Sequence, residues 1–144
     1  MKTWTATALA SANPAAVLHV LTDPDACARW APVPFDVEDD TRRLATGCRA
    51  RVTGRLAGQR VGFDVEVRRA DENGLVLTAD GPVSMDVDYR LAATDAGAEV
   101  HASVSLRPRR GLVGRLLAEA TGALLTAGAL DHALARLTAE AATA

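Results

Sequence analysis

From residue 33 to residue 107 the chain is a succession of alternating apolar and polar runs. Breaks rich in Asp, Asn and Gly cut it near 39–46, 56–60, 70–74, 80–83 and 93–98. Period-two alternation marks a strand with one buried and one wet face, and breaks this short join antiparallel neighbours as hairpins. The segment therefore reads as six consecutive antiparallel strands, which few architectures accommodate. Ahead of it, threonines 3, 5 and 7 alternate with Trp4, Ala6 and Ala8, giving one more strand over residues 2 to 10. Asn13-Pro14 and Asp23-Pro24 each supply a capping side chain and a first-turn proline for a short helix; Pro32 and Pro34 stop the second after Trp30. Beyond Pro108 and Gly111, leucines at 112, 116, 117, 124, 125, 130, 134 and 137 predict one long amphipathic helix to about Ala141. The order is β-α-α-β6-α, and a length of 144 residues fits one domain over residues 1–144.

Strand register follows from side-chain chemistry, because antiparallel partners have sequence numbers of constant sum. Pairing 47–55 with 60–69 sets Arg51 against Asp64 and Arg49 against Glu66 on one face, with Ala50 against Val65 and Val52 against Phe63 on the other. Pairing 84–92 with 99–107 sets Tyr89 opposite Ala102, Val87 opposite Val104 and Leu91 opposite Val100. Each hairpin has one apolar and one polar side. Leu75 to Ala79 shows no clean alternation, so its register stays open.

A net charge of −2 and a pI near 5.9 give no field for holding a polyanion, which excludes sequence-independent nucleic-acid binding. No apolar run reaches membrane-spanning length. The stretch from Met1 to Ala12 is too broken by threonines to be a signal peptide. Cys27 and Cys48 form neither a disulfide framework nor a Cys-x-x-Cys pair, and a reduced, cytoplasmic setting is expected. His19, His101 and His132 lack metal-ligand spacing, and Gly111-Leu-Val-Gly114-Arg115 lacks the lysine of a phosphate loop. No metal and no cofactor are expected. Lys2 is the sole lysine beside fifteen arginines, and with the abundant alanine this fits a GC-rich bacterial genome.

The motifs Asn13-Pro14-Ala15-Ala16-Val17, Leu21-Thr22-Asp23-Pro24, Arg29-Trp30-Ala31-Pro32 and Tyr89-Arg90-Leu91 stand in order along the chain. Together with the long final helix, they make it similar to the START-like, or SRPBCC (helix-grip), superfamily, in a polyketide cyclase/dehydrase-like form. The resemblance covers nearly the whole chain. It implies an α+β fold in which a seven-stranded antiparallel sheet wraps around the C-terminal helix and encloses a cavity, with Trp30 closing one end.

The inward strand parity and the spacing of the helix leucines nominate the lining. Val52, Phe63 and Val65 come from one hairpin; Met85, Val87, Tyr89 and Ala102 come from the other. Trp30, Leu117 and Leu124 come from the helices. Charged side chains are missing from this face, so no catalytic residue is assigned; Tyr89 is the best hydrogen-bond donor, and Cys48 is an inert thiol. The expected partner is a small, mainly apolar molecule, bound by a monomer or homodimer without stable membrane insertion. Two alternatives remain open: a polyketide cyclase/dehydratase-like enzyme, and a protein-interaction module with a vestigial cavity. Two charge clusters, Asp36 to Asp40 and Arg107 to Arg110 with Arg115, read as solvated loops. Glycines 114, 122 and 128 of the last helix are expected to serve close packing or cavity volume.

Overall fold

The computed structural model describes residues 2–30, 35–37, 43–56, 59–108 and 111–143. Pro32 and Pro34, much of the acidic cluster, and Arg109 and Arg110 lie outside these residues. The elements run β1 (Lys2–Ala10), α1 (Pro14–Leu21), α2 (Pro24–Trp30), β2 (Phe35–Val37), β3 (Arg49–Leu56) and β4 (Gln59–Asp71). They continue as β5 (Gly74–Asp80), β6 (Val83–Thr94), β7 (Gly97–Pro108), α3 (Leu112–Thr126) and α4 (Ala129–Thr143). The sheet is antiparallel in the order β1-β7-β6-β5-β4-β3-β2, with six strands of seven residues or more and a three-residue edge strand, β2. Five successive hairpins lay down β2 to β7, and β1 closes the far edge against β7, joining the first strand of the chain to the last.

The helix starts follow the capping signals. Asn13 Oδ1 accepts from the Ala16 amide at 2.9 Å with Pro14 at the first helical position, and Asp23 Oδ1 accepts from the Asp25 amide at 3.0 Å. The expected registers hold: Arg51 pairs with Asp64 and Val52 with Phe63 between β3 and β4, and Tyr89 pairs with Ala102 between β6 and β7. Leu75 pairs with Tyr89 and Leu77 with Val87, so the odd residues of β5 face inward. Its pattern was unreadable from sequence because a register shift between Val67 and Arg69 breaks the parity of β4, and because Val76 puts an apolar side chain on the outer face. An extra residue of this kind reverses which residues point inward beyond it.

The long C-terminal helix is corrected to two helices of fifteen residues each. Gly128 breaks the run with φ +97°, a conformation open to glycine and strained for other residues, and the Ala127 and Gly128 amides close the end of α3 on Ala123 O and Leu125 O. The two helices do different work. α4 lies along β1 and against α1 and α2, burying Leu130, Leu134 and Leu137, whereas α3 crosses β7, β6 and β3.

Candidate functional site

Hydrogen-bonded pairing lines the inward side chains up in rows across the sheet. One row reads Val67, Leu77, Val87, Val104 and Trp4; the next reads Ala50, Val65, Ala79, Met85 and Leu106. Interior positions of a covered sheet are ordinarily sealed, and Val67, Ala79, Val104 and Leu106 are. Leu77, Met85, Val87 and Trp4 nevertheless keep part of their surface accessible, as do Ala50 on β3 and Cys48 just before it. These residues form a belt of partly accessible apolar positions on β3, β5, β6 and β1, interrupted by the sealed side chains of β4 and β7, on the side that α3 covers. Leu117, Thr121 and Leu125 are among the buried residues of α3; the Thr121 hydroxyl is satisfied by Leu117 O at 2.8 Å.

The nominated residues divide into three groups. Met85 and Val87 lie in the belt, with Val52, Phe63 and Val65 bordering it almost wholly buried, and Leu117 on the inner side of α3. Trp30, Tyr89 and Ala102 are sealed in the neighbouring part of the core: Ala102 sits between Ala6 and Tyr89, and the Trp30 and Tyr89 rings meet edge to face at 5.5 Å and 85°. Leu124 is corrected. It is 44% exposed, in the same stripe of α3 that exposes Leu112 and Leu116, and Leu125 is the buried neighbour.

Trp4 and Leu77 were not nominated. The inward parity of Trp4 was legible in the threonine alternation, whereas that of Leu77 was hidden by the bulge. The Trp4 indole N–H donates to Thr126 Oγ1 at 3.1 Å, and a Cβ at Gly122 would meet the Trp4 ring at 3.4 Å, an ordinary contact distance, so the packing of α3 on β1 does not require glycine there.

The polar chemistry of the site is sparse. Among the described residues Lys2, exposed at the β1 end of the second row, is the one charged side chain in an inward row, and no cluster of His, Cys, Asp or Glu is arranged to hold a metal ion. Trp30 Nε1 is a buried donor with no acceptor among the described residues, in a side chain only 4% exposed. The Arg29 guanidinium next to it in sequence grips Glu140 at the end of α4 with bonds of 2.8 and 3.3 Å, tying α2 to α4. The hydrogen bond from Arg29 is the main cause that holds the Glu140 carboxyl below its ordinary pKa.

The outer face is the polar side. Arg51 meets Asp64 at 2.9 Å, Arg49 meets Glu66 at 3.8 Å and Arg107 meets Asp86 at 3.1 Å. A shallow cleft of about 530 Å³ there is lined by Arg69, Asp88, Arg90 and His101 among others. Its cations are already matched, Arg69 to Asp71 and Arg90 to Asp88, while His101 Nδ1 lies 2.8 Å from Thr7 Oγ1.

The family model for polyketide cyclase/dehydrase and lipid transport proteins matches residues 1–142. The chain belongs to that family. Solved structures share the fold of this chain at low identity. CV1439 from Chromobacterium violaceum is 20% identical, with 97% of this chain and 96% of that one covered and a TM-score of 0.72. TTHA0849 from Thermus thermophilus is 18% identical over 99% and 98% of the two chains, with a TM-score of 0.73. DynU16, encoded in the dynemicin biosynthetic locus, is 20% identical over 96% of this chain and 46% of its own, with a TM-score of 0.63. At these identities the likeness establishes the fold alone. No curated protein matches the chain.

Proposed function

We propose that the protein binds a small, mainly apolar molecule between the inner face of the sheet and α3, and carries or sequesters it. The observation that supports this reading is the belt of Leu77, Met85, Val87 and Trp4, apolar side chains that face inward yet keep accessible surface. Such a surface selects ligands by shape and apolar area, with few directional bonds. The Trp30 indole N–H would supply one of them. An unpaired buried donor costs about 1–3 kcal/mol, which an oxygen acceptor on the ligand would offset.

The family description, together with the dynemicin-locus relative, favours a second reading: a cyclase or dehydratase in which the pocket folds a reactive chain upon itself. Holding two ends of one reactive chain together can supply much of a rate without an acid or base from the protein. Both readings use the same pocket and part over turnover.

The pocket is tested by titrating the protein with the neutral fluorophore Nile red beside a Val87→Trp variant. The parent is expected to bind saturably, and the folded variant at least about tenfold more weakly, because an indole at the centre of the belt occupies the ligand's volume. A parent that does not bind, or a folded variant that binds equally, removes the ligand from this site and brings the interaction-module reading forward.

A further inference from the structure

The basic cluster before α3 has no part in the pocket. Residues 107–118 hold four arginines and no acid; since the whole chain carries −2, the remainder carries −6. This segment is one of two basic stretches of the chain, the other being residues 42–63 with six arginines and no acid, and the exposed Glu119 follows it on α3. Arg109 and Arg110, whose placement lies outside the described residues, contribute as sequence neighbours of Gly111. Arg115 is exposed and has no carboxylate partner among the described residues, as is also true of Arg55, Arg60 and Arg68.

The same segment exposes large apolar side chains. Leu112 is 75% and Leu116 56% exposed, and with Ala120 and Leu124 they recur every four residues along one side of α3. Gly111 caps α3 without a side-chain hydrogen bond, so the positive end of the helix dipole is added to the arginines. Exposed leucines beside a basic cluster form the amphipathic pattern that seats a helix in the headgroup region of a bilayer.

We propose that the N-terminal half of α3, through Leu112, Leu116 and Arg115, docks on an anionic lipid bilayer. The charge polarity decides in favour of a bilayer. A second copy would bring an equally basic segment, and a stripe one helix wide falls short of the roughly 800 Å² per partner typical of stable dimers. Docking is peripheral, since no helix among the described residues is long and apolar enough to cross a membrane. The opposite side of α3 carries Leu117 toward the pocket, so the docked helix would set the binding site next to the lipid. The surface stands on exposure and charge, independently of what the pocket holds.

The experiment is co-sedimentation of the ligand-free protein with large unilamellar vesicles. One set is phosphatidylcholine alone and the other contains phosphatidylglycerol, each at low and high salt. Binding is expected to the anionic vesicles only, and to weaken with salt. Arg115→Glu and the pair Leu112→Ser, Leu116→Ser are each expected to lower it at least about fivefold. The substituted side chains are exposed, and circular dichroism of each variant verifies its fold. Absence of binding by the parent at low salt, equal binding to phosphatidylcholine, or undiminished binding by folded variants overturns the proposal. So does a dimer in analytical ultracentrifugation that the leucine pair abolishes while vesicles are ignored. Because Val87 is untouched, Nile red binding by the same variants reports separately on the pocket.

Discussion

Trp30 shows what one side chain would contribute to the proposed apolar site. Its ring is sealed against Tyr89, and its N–H finds no acceptor among the described residues. Trp30→Phe keeps an aromatic ring there and deletes the donor. Two probes of one carbon skeleton separate the roles: an acetylnaphthalene, which offers a carbonyl oxygen, and an ethylnaphthalene, which does not. By calorimetry the substitution is expected to weaken the ketone about three- to tenfold more than the hydrocarbon, corresponding to the net worth of one hydrogen bond. An equal loss for both would leave Trp30 with a packing role only. Tyr89 was the donor nominated from sequence, since its inward parity was legible. The unsatisfied indole was not, because whether an N–H meets an acceptor depends on which elements pack around it.

Among the elements, the C-terminal helices depart furthest from expectation, and two glycines explain how. Gly122 lies within α3, where an added Cβ would make ordinary contact with Trp4 at 3.4 Å, whereas Gly128 has φ +97° and open space around it. Alanine is therefore expected to act in opposite directions. Gly122→Ala should stabilise by up to about 1 kcal/mol through helix propensity, and Gly128→Ala should destabilise by about 1 kcal/mol or more through backbone strain alone. Urea denaturation measures both; destabilisation of similar size at both positions would mean that the Trp4 contact cannot relax. Leucine spacing continued through residue 128 without a visible phase break, so periodicity predicted one helix where backbone conformation makes two. The β3–β4 and β6–β7 hairpins were legible because their two faces independently demanded the same register. β5 was not, because a bulge in its neighbour is invisible to a period-two pattern.

At the scale of the whole molecule, the ties between distant parts of the chain include the pairing of β1 with β7 and the grip of Arg29 of α2 on Glu140 of α4. The second tie responds to pH. Glu140 has its pKa lowered in the folded state, mainly by the hydrogen bond from Arg29, so its contribution is fully present above the unfolded carboxylate pKa of about 4 and is lost as pH falls through the folded value. The melting temperature of the parent is expected to exceed that of Glu140→Gln by a constant margin from neutral pH down to about 4, then to converge with it on further acidification. Thermal melts of the two proteins across that range check the sign, and a margin that grows on acidification would contradict it.

Sequence alone determined the order of elements, the meander of hairpins, the caps of both short helices and the apolar character of the inward face. All of these rest on local periodicity or on pairs whose separation a hairpin fixes. Tertiary structure decided which inward residues stay accessible, that Leu124 leaves the lining while Leu77 and Trp4 enter the belt, and that Trp30 keeps an unpaired donor. Accessibility at one position depends on how α3 and the sheet approach each other, and that distance is set by contacts between residues far apart in the chain, such as Trp4 with Gly122 and Thr126. Such contacts leave no periodic trace in either segment.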